Sequence, residues 1–280
     1  MHNFDTHQNK DKVFKESLAL FVGKTLDFFD STLQGLITEI LATEVTETTT
    51  QKAFADLAFL LSTGRGVHFE MEDDVSLDDI LRFAGYNIWL TRMHKIPFLT
   101  VILTVNRSKL TGYSTQGHAF NPIIICLKDR DADATLQKLQ KKLEKGEPIN
   151  EIELLYMPLY GSKSGKSMYE ILDGAIKLTA KIPQKTTKNK LQSLLLLQTS
   201  KFANEKEFIK VLEDNEMILE GNLAVKVLEE RGFKKGIAQA ATTMLKKGID
   251  AQSIADMLDK PIDWVQDLQN QQNQISQTNG

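Results

Sequence analysis

Phe54-Ala55-Asp56-Leu57-Ala58-Phe59-Leu60-Leu61, Ser62-Thr63-Gly64-Arg65-Gly66 and Val67-His68-Phe69-Glu70-Met71-Glu72 form the stretch whose reading decides the fold. The first run is apolar except for Asp56, and the two glycines that follow suit a hairpin loop. The third run alternates strictly, which sets Val67, Phe69 and Met71 on one face of a strand and His68, Glu70 and Glu72 on the other. A hairpin over these residues brings Glu70 beside Asp56. Burying a lone carboxylate in an apolar run is costly unless a cation or a donor meets it. Asp56, Glu70 and Glu72 at one end of a sheet would make an oxygen-rich site suited to Mg2+ or Mn2+. The same alternation suits the solvated face of an edge strand with Asp56 at a strand end, so periodicity alone leaves both readings open.

Outward from the hairpin, Ser76 with Asp79 three residues on is a capping-box pattern, and it predicts a helix to about Met93. Strands are expected over 98–105 and 122–127. On the other side, residues 11–44 read as helix, with Phe14, Leu18, Phe21, Val22 and Thr25 on one face, Leu26, Phe29, Leu33, Leu36, Ile37 and Ile40 continuing the apolar stripe, and a break near Asp30-Ser31-Thr32. A threonine-rich connection covers 46–51. The order helix, hairpin, helix, strand predicts an α/β fold with a mixed sheet. Beyond residue 131 the pattern turns helical: an amphipathic helix over 134–144, a short strand or extended segment over 152–157, a helix over 166–181 and a linker over 183–188. Three or four helices over 189–269 and a disordered Gln/Asn-rich tail are expected to follow. The predicted domains are 1–182, then a C-terminal helical region over 188–270, then a tail over 271–280.

Composition excludes several classes. The chain has 280 residues, 41% hydrophobic and 25% charged, which is ordinary for a globular protein. No apolar run approaches the roughly 18 residues of a membrane span. Residues 1–12 are polar and lack the apolar segment of a secretory signal, so a cytoplasmic protein with no membrane partner is expected. The single cysteine, Cys126, excludes an internal disulfide framework and a multi-cysteine zinc site. With 34 basic and 37 acidic residues the net charge is −3, which gives no global attraction to nucleic acid. DNA binding would need a local basic patch or carboxylates neutralised by metal. Arg65, Arg82, Arg92, Lys95, Arg107 and Lys109 are candidates for phosphate contacts, and His68 is either a general base or a surface histidine.

Three further motifs are weak. Gly161-Ser162-Lys163-Ser164-Gly165-Lys166-Ser167 is like a phosphate-binding loop but has three residues between its glycines, where the Walker pattern has four. A flexible basic loop is the better reading, and a nucleotide hydrolase the distant alternative. Asp129, Asp131 and Asp133 have the opening rhythm of a calcium loop, but Ala134 and Gln140 stand where its glycine and glutamate belong; capping of the next helix fits better. Residues 248–269 suggest two short helices around Lys260-Pro261, with Ile254, Leu258, Ile262, Val265 and Leu268 inward. The second helix carries Asp263 and Asp267 and no Lys or Arg, so it reads as an interaction module and not as a base-reading helix.

Taken together, Asp11 to Glu16, Phe54-Ala55-Asp56-Leu57, His68 to Glu72, Arg82 to Tyr86, Tyr156-Met157-Pro158 and the segments Lys234 to Ile237 and Met244 to Ile249 resemble the recombination-promoting nuclease (Rpn) and transposase family of the PD-(D/E)xK nuclease superfamily. The resemblance implies a restriction-endonuclease-like αβββαβ core that cleaves DNA with a divalent cation, Mg2+ or Mn2+. It implies that Asp56 and Glu70 hold the metal and that Glu16, on the first helix, is an auxiliary acid. The family's third signature residue is usually Lys or Gln, and here it is Glu72, which can accept a proton or bind metal but cannot act as a cation. Either Glu72 is an extra ligand in an active nuclease, or the chain is an impaired nuclease fold that binds DNA or a protein. Cleavage of both DNA strands would call for a homodimer.

Overall fold

The computed structural model describes residues 16–46, 52–54, 56–258 and 260–278. Residues 11–15 of the expected first helix and 47–51 of the threonine-rich connection lie outside the described residues. The chain divides into two compact units, one ending at Ala224 and the other running on from Val225. The boundary expected at 182–188 falls inside the first of them.

That first unit is α/β, built on a mixed five-stranded sheet. Its strands are β1 (Ile37–Ile40), β2 (Leu57–Leu61), β3 (Gly66–Glu72), β4 (Phe98–Thr104) and β5 (Ile123–Cys126), lying side by side in that order. The expected hairpin forms: Leu57 stands opposite Phe69, Ala58 opposite His68 and Phe59 opposite Val67. β3 then runs parallel to β4, and β4 parallel to β5. A parallel step needs a crossover, and helix α1 (Leu77–His94) supplies it. Both halves of the Ser76–Asp79 capping box are made, and the helix ends where Lys95 takes φ 58° and donates its N–H to Thr91 O. The inner face of α1 packs Ile80 and Phe83 with Ile102, and Leu90 with Ala58 and Phe98. β3 is therefore a central strand, and the solvated-edge reading of its alternation fails.

The first segment corrects the sequence reading. Its described part is helical only through a turn at 16–18 and the 3-10 turn Ala19–Phe21; Gly23 then takes φ 82° and the chain leaves the helix. Ile37–Ile40 is the edge strand β1, antiparallel to β2. Phe21, Leu26, Phe29, Leu33 and Ile37 are buried, as their spacing predicts, but they reach the core from successive turns, and Val22 and Leu36 of the same stripe are exposed. Arg130 holds one of those turns, donating from Nη1 to Phe28 O at 2.6 Å and from Nη2 to Phe29 O at 2.7 Å. The run expected as one strand over 54–61 is also divided: Lys52–Phe54 pairs with Glu44–Thr46 in a separate ribbon, and β2 begins only at Leu57.

Helices α2 (Ala132–Glu144), α3 (Glu151–Tyr156), α4 (Met168–Thr179), α5 (Lys185–Thr199), α6 (Glu205–Asp214) and α7 (Glu216–Leu219) complete the unit. The segment expected to be extended at 152–157 is helix α3, continued by a 3-10 turn at Met157–Leu159. Asn150 caps it by accepting from Ile152 N, and all six helical residues are buried, so no alternation marks a face. The predicted linker is mostly the first turn of α5. All nine residues from Leu191 to Thr199 are buried, which makes this helix a core element instead of a surface one. Two of its polar groups are matched inside: Gln192 donates to Thr179 Oγ1 at 2.9 Å and Ser193 to Asn222 Oδ1 at 3.0 Å.

In the second unit, α8 (Leu223–Lys246) ends at Gly248, whose φ of 81° lets Ile249 N reach Met244 O and Gly248 N reach Leu245 O. Helices α9 (Ala251–Leu258) and α10 (Ile262–Thr278) follow. Ala241, Ile254, Ala255 and Val265 form its core, with Leu258, Ile262 and Leu268 packed against them as predicted. The tail expected to be disordered continues α10 as far as Thr278, in keeping with the good helix propensity of glutamine. Among the described residues, no helix is long and apolar enough to cross a membrane.

Candidate active site

The hairpin register fixes the first part of the site. With Leu57 opposite Phe69, Asp56 stands one residue before β2 and level with Glu70 on β3. Asp56 is exposed, Glu70 is 5% exposed, and the backbone N–H of Asp56 donates to Glu70 Oε1 at 3.2 Å. The two open onto a cavity of about 20 Å³, room for about one water-sized occupant. Tyr156 from α3, Gln198 from the end of α5 and Lys201 just beyond it close the other side. The Gln198 amide rests against Met71 Sδ on β3, which ties α5 to the sheet at this point.

Behind Glu70 a polar chain runs into the sheet. His68 Nε2 meets Glu70 Oε1 at 2.6 Å, and His68 Nδ1 meets Thr100 Oγ1 at 3.3 Å. Asn87 on α1 donates to Thr100 Oγ1 and to Phe98 O, both at 3.0 Å. Burial pushes Glu70 up to about 9, helped by the negative charge of Asp56 and opposed by the Asp56 N–H. Burial likewise pulls His68 down to about 4. At neutral pH the pair therefore shares one proton, carried on Glu70. His68 is fully buried, which corrects its reading as a surface histidine. Its two ring nitrogens meet Glu70 and Thr100.

The other two predicted acids are not brought to the cavity. Glu72 is on the same face as Glu70 but about 7 Å further along the strand. Its carboxylate accepts from Arg82 Nη2 at 2.6 Å, and the same guanidinium lies 3.0 Å from Asp79. Burial and the charge of Asp79 raise the Glu72 pKa, and Arg82 opposes them. Glu16 is exposed on the helical turn at 16–18 and does not line the cavity. Tyr156, Gln198 and Lys201 complete the lining instead. Tyr156 lies in a segment that the sequence reading singled out; Lys201 lies in no motif, and no spacing rule links it to β3.

Asp56 and Glu70 are a two-carboxylate donor set. Among the described residues, no three or more His, Cys, Asp and Glu side chains are grouped to hold a metal ion. A closed cage for a transition metal is therefore not formed. The pair fits a hard cation such as Mg2+, which takes one or two carboxylates and fills its remaining positions with water and substrate phosphate. Glu70 Oε1 already has two contacts, and among the described residues no hydrogen bond reaches Oε2.

The phosphate-loop motif is satisfied from within. The Asp133 carboxylate accepts from Ser162 Oγ and Ser164 Oγ at 2.8 Å each, from Ser164 N at 3.0 Å and from Lys166 Nζ at 2.9 Å. These donors, Lys166 first, hold Asp133 well below the usual carboxylate range. An anion already occupies the nest, so the loop is a structural clasp and not a nucleotide site. Gly161 is part of it: a Cβ there would sit 2.3 Å from Lys128 O. Gly161→Ala is expected to destabilise the unit by about 1–3 kcal/mol, read by denaturant unfolding. Of the remaining calcium-like acids, Asp131 caps α2 by accepting from Ala134 N, and Asp129 pairs with Arg107 at 2.6 Å.

No family model matches this chain, and neither a curated protein nor a solved structure matches it.

Proposed function

We propose that the first unit is a divalent-metal-dependent DNA endonuclease with a restriction-endonuclease-like core. One observation carries this reading: Asp56, just before β2, and Glu70, on the adjacent β3 of a mixed sheet, converge on a single small cavity open to solvent. The order helical turn, β1, β2, β3, α1, β4 supports it, being the αβββαβ order that the Rpn resemblance implies. A bound Mg2+ or Mn2+ would offset the charge of the phosphodiester and make hydroxide available near neutral pH.

The chain's own groups supply the rest. Asp56 and Glu70 would be the ligands, and Glu70 would have to give up its proton to serve, so binding would strengthen as pH rises. His68, held by Thr100, keeps the Glu70 carboxyl aimed at the cavity. In the reaction a water oxygen forms a bond to phosphorus as the P–O3′ bond breaks. The water proton passes to solvent, and the departing oxygen takes one from solvent.

A second reading is favoured by one observation, the pairing of Glu72 with Arg82, which leaves β3 without a cation at the position where the family carries Lys or Gln. On that reading the unit binds DNA or a protein without cutting. Incubating the full chain with supercoiled plasmid and Mg2+, Mn2+ or EDTA decides between them. The nuclease reading expects relaxed circles with either metal and none with EDTA. Linear product appearing with the relaxed form would mark paired cuts by two copies. Plasmid that stays supercoiled under both metals would reject the nuclease reading in favour of the binding module.

A further inference from the structure

We infer that Lys201 supplies the positive charge that β3 does not bring to the Asp56–Glu70 cavity, contacting a non-bridging oxygen of the phosphodiester as it is cleaved. The inference rests on the endonuclease reading and names a residue which that reading does not require.

Arg82 on α1 is not that cation, because it stands outside the cavity. Arg82 is bound between Glu72 and Asp79, with its guanidinium over the Phe83 ring at 4.7 Å, and it does not line the cavity. Of the residues that do, Lys201 is the cation, facing two acids. Its placement follows from α5. The helix is buried on all sides from Leu191 to Thr199, and Gln198 rests on Met71 of β3. Beyond Thr199 the backbone stays wound, with Lys201 N donating to Gln198 O at 3.3 Å and Phe202 N to Thr199 O at 3.1 Å. The helix thus sets the root of an exposed side chain at the rim of the cavity.

A lysine suits that post. Its ammonium is a compact charge with three donors on a long stem, able to follow a phosphoryl group whose charge spreads in the transition state. Two carboxylates alone would repel a phosphodiester. A hard cation between them with an ammonium opposite reverses the sign of the field at the reacting atom.

The test uses the full chain, supercoiled plasmid and Mg2+, comparing wild type with Lys201→Ala, Lys201→Arg and Asp56→Ala. Because Lys201 is exposed, its variants should melt with wild type. Lys201→Ala is expected to lower kcat for nicking about 10²-fold with KM for DNA changed less than about threefold, the mark of a contact made in the transition state. Lys201→Arg should recover most of that loss. Calorimetric Mg2+ affinity should be kept or tightened in Lys201→Ala and lost in Asp56→Ala. Nicking by Lys201→Ala at the wild-type rate, with Asp56→Ala inactive, would overturn the role of Lys201 and leave the endonuclease reading intact. Wild type that never nicks would overturn both.

Discussion

Asp56→Ala is expected to remove the proposed metal-dependent nicking, lowering the rate by at least about 10²-fold, while the protein stays folded. Both halves of this expectation come from its position. Asp56 is exposed and precedes β2, so alanine there opens no core cavity. The bond to Glu70 Oε1 comes from the Asp56 backbone N–H, which alanine retains. The expected change in stability is within about 0.5 kcal/mol, as for ordinary surface substitutions. The charge of the side chain, by contrast, is half of the donor set. Nicking rate and melting temperature measured on the same preparation check this. Equal nicking by variant and wild type would remove Asp56 from the chemistry.

Glu70→Gln is expected to inactivate the protein and to stabilise it. The carboxyl is buried, and its folded-state pKa, about 9, lies well above its ordinary 4.5. A raised pKa means that the folded state holds the proton more tightly. The resulting stability is fully present below about 4.5 and is lost as pH rises toward 9. His68 acts in the opposite sense: its pKa falls from 6.5 to about 4, so its contribution is present above 6.5 and is lost as pH falls toward 4. Between about 4.5 and 6.5 the two slopes cancel, since the pair keeps one proton throughout. Above 6.5 only the Glu70 slope remains, and the metal-free protein loses up to about 1.4 kcal/mol per pH unit. Glutamine keeps a donor for His68 and cannot ionise. Its variant should show a flat profile above pH 6.5 and gain on the order of 5 kcal/mol at pH 8, about 1.4 kcal/mol for each unit above 4.5. Urea unfolding at a series of pH values in EDTA measures both. A variant less stable than wild type at pH 8 would mean that Glu70 is already ionised in the folded protein and held by a partner.

The residues that set the site's geometry were the legible ones. Asp56 in an apolar run, two loop glycines and a strict alternation define a hairpin by local rules, and Ser76 with Asp79 starts the crossover helix for the same reason. What those rules omit is how far each side chain reaches across the sheet. Glu70 and Glu72 share a face, yet one closes the cavity and the other meets Arg82, because two steps along a strand exceed the span of one small site. The segment from Glu16 to Ile40 misled through its spacing: Leu26, Phe29, Leu33 and Ile37 recur as on a helix and are buried as predicted, but Gly23 and β pairing with β2 direct the backbone. Residues 152–157 are buried on every side, which erases the periodicity that separates helix from strand. Lys201 was invisible for another reason. It arrives through the packing of α5 on the sheet, a tertiary contact that no local pattern encodes.

A crystal of the full chain soaked in Mn2+ and measured for anomalous scattering tests the central claim most directly. The account predicts a single strong peak between the Asp56 and Glu70 carboxyl groups. Empty density there, with the two carboxyl groups turned apart or toward bulk water, would contradict it.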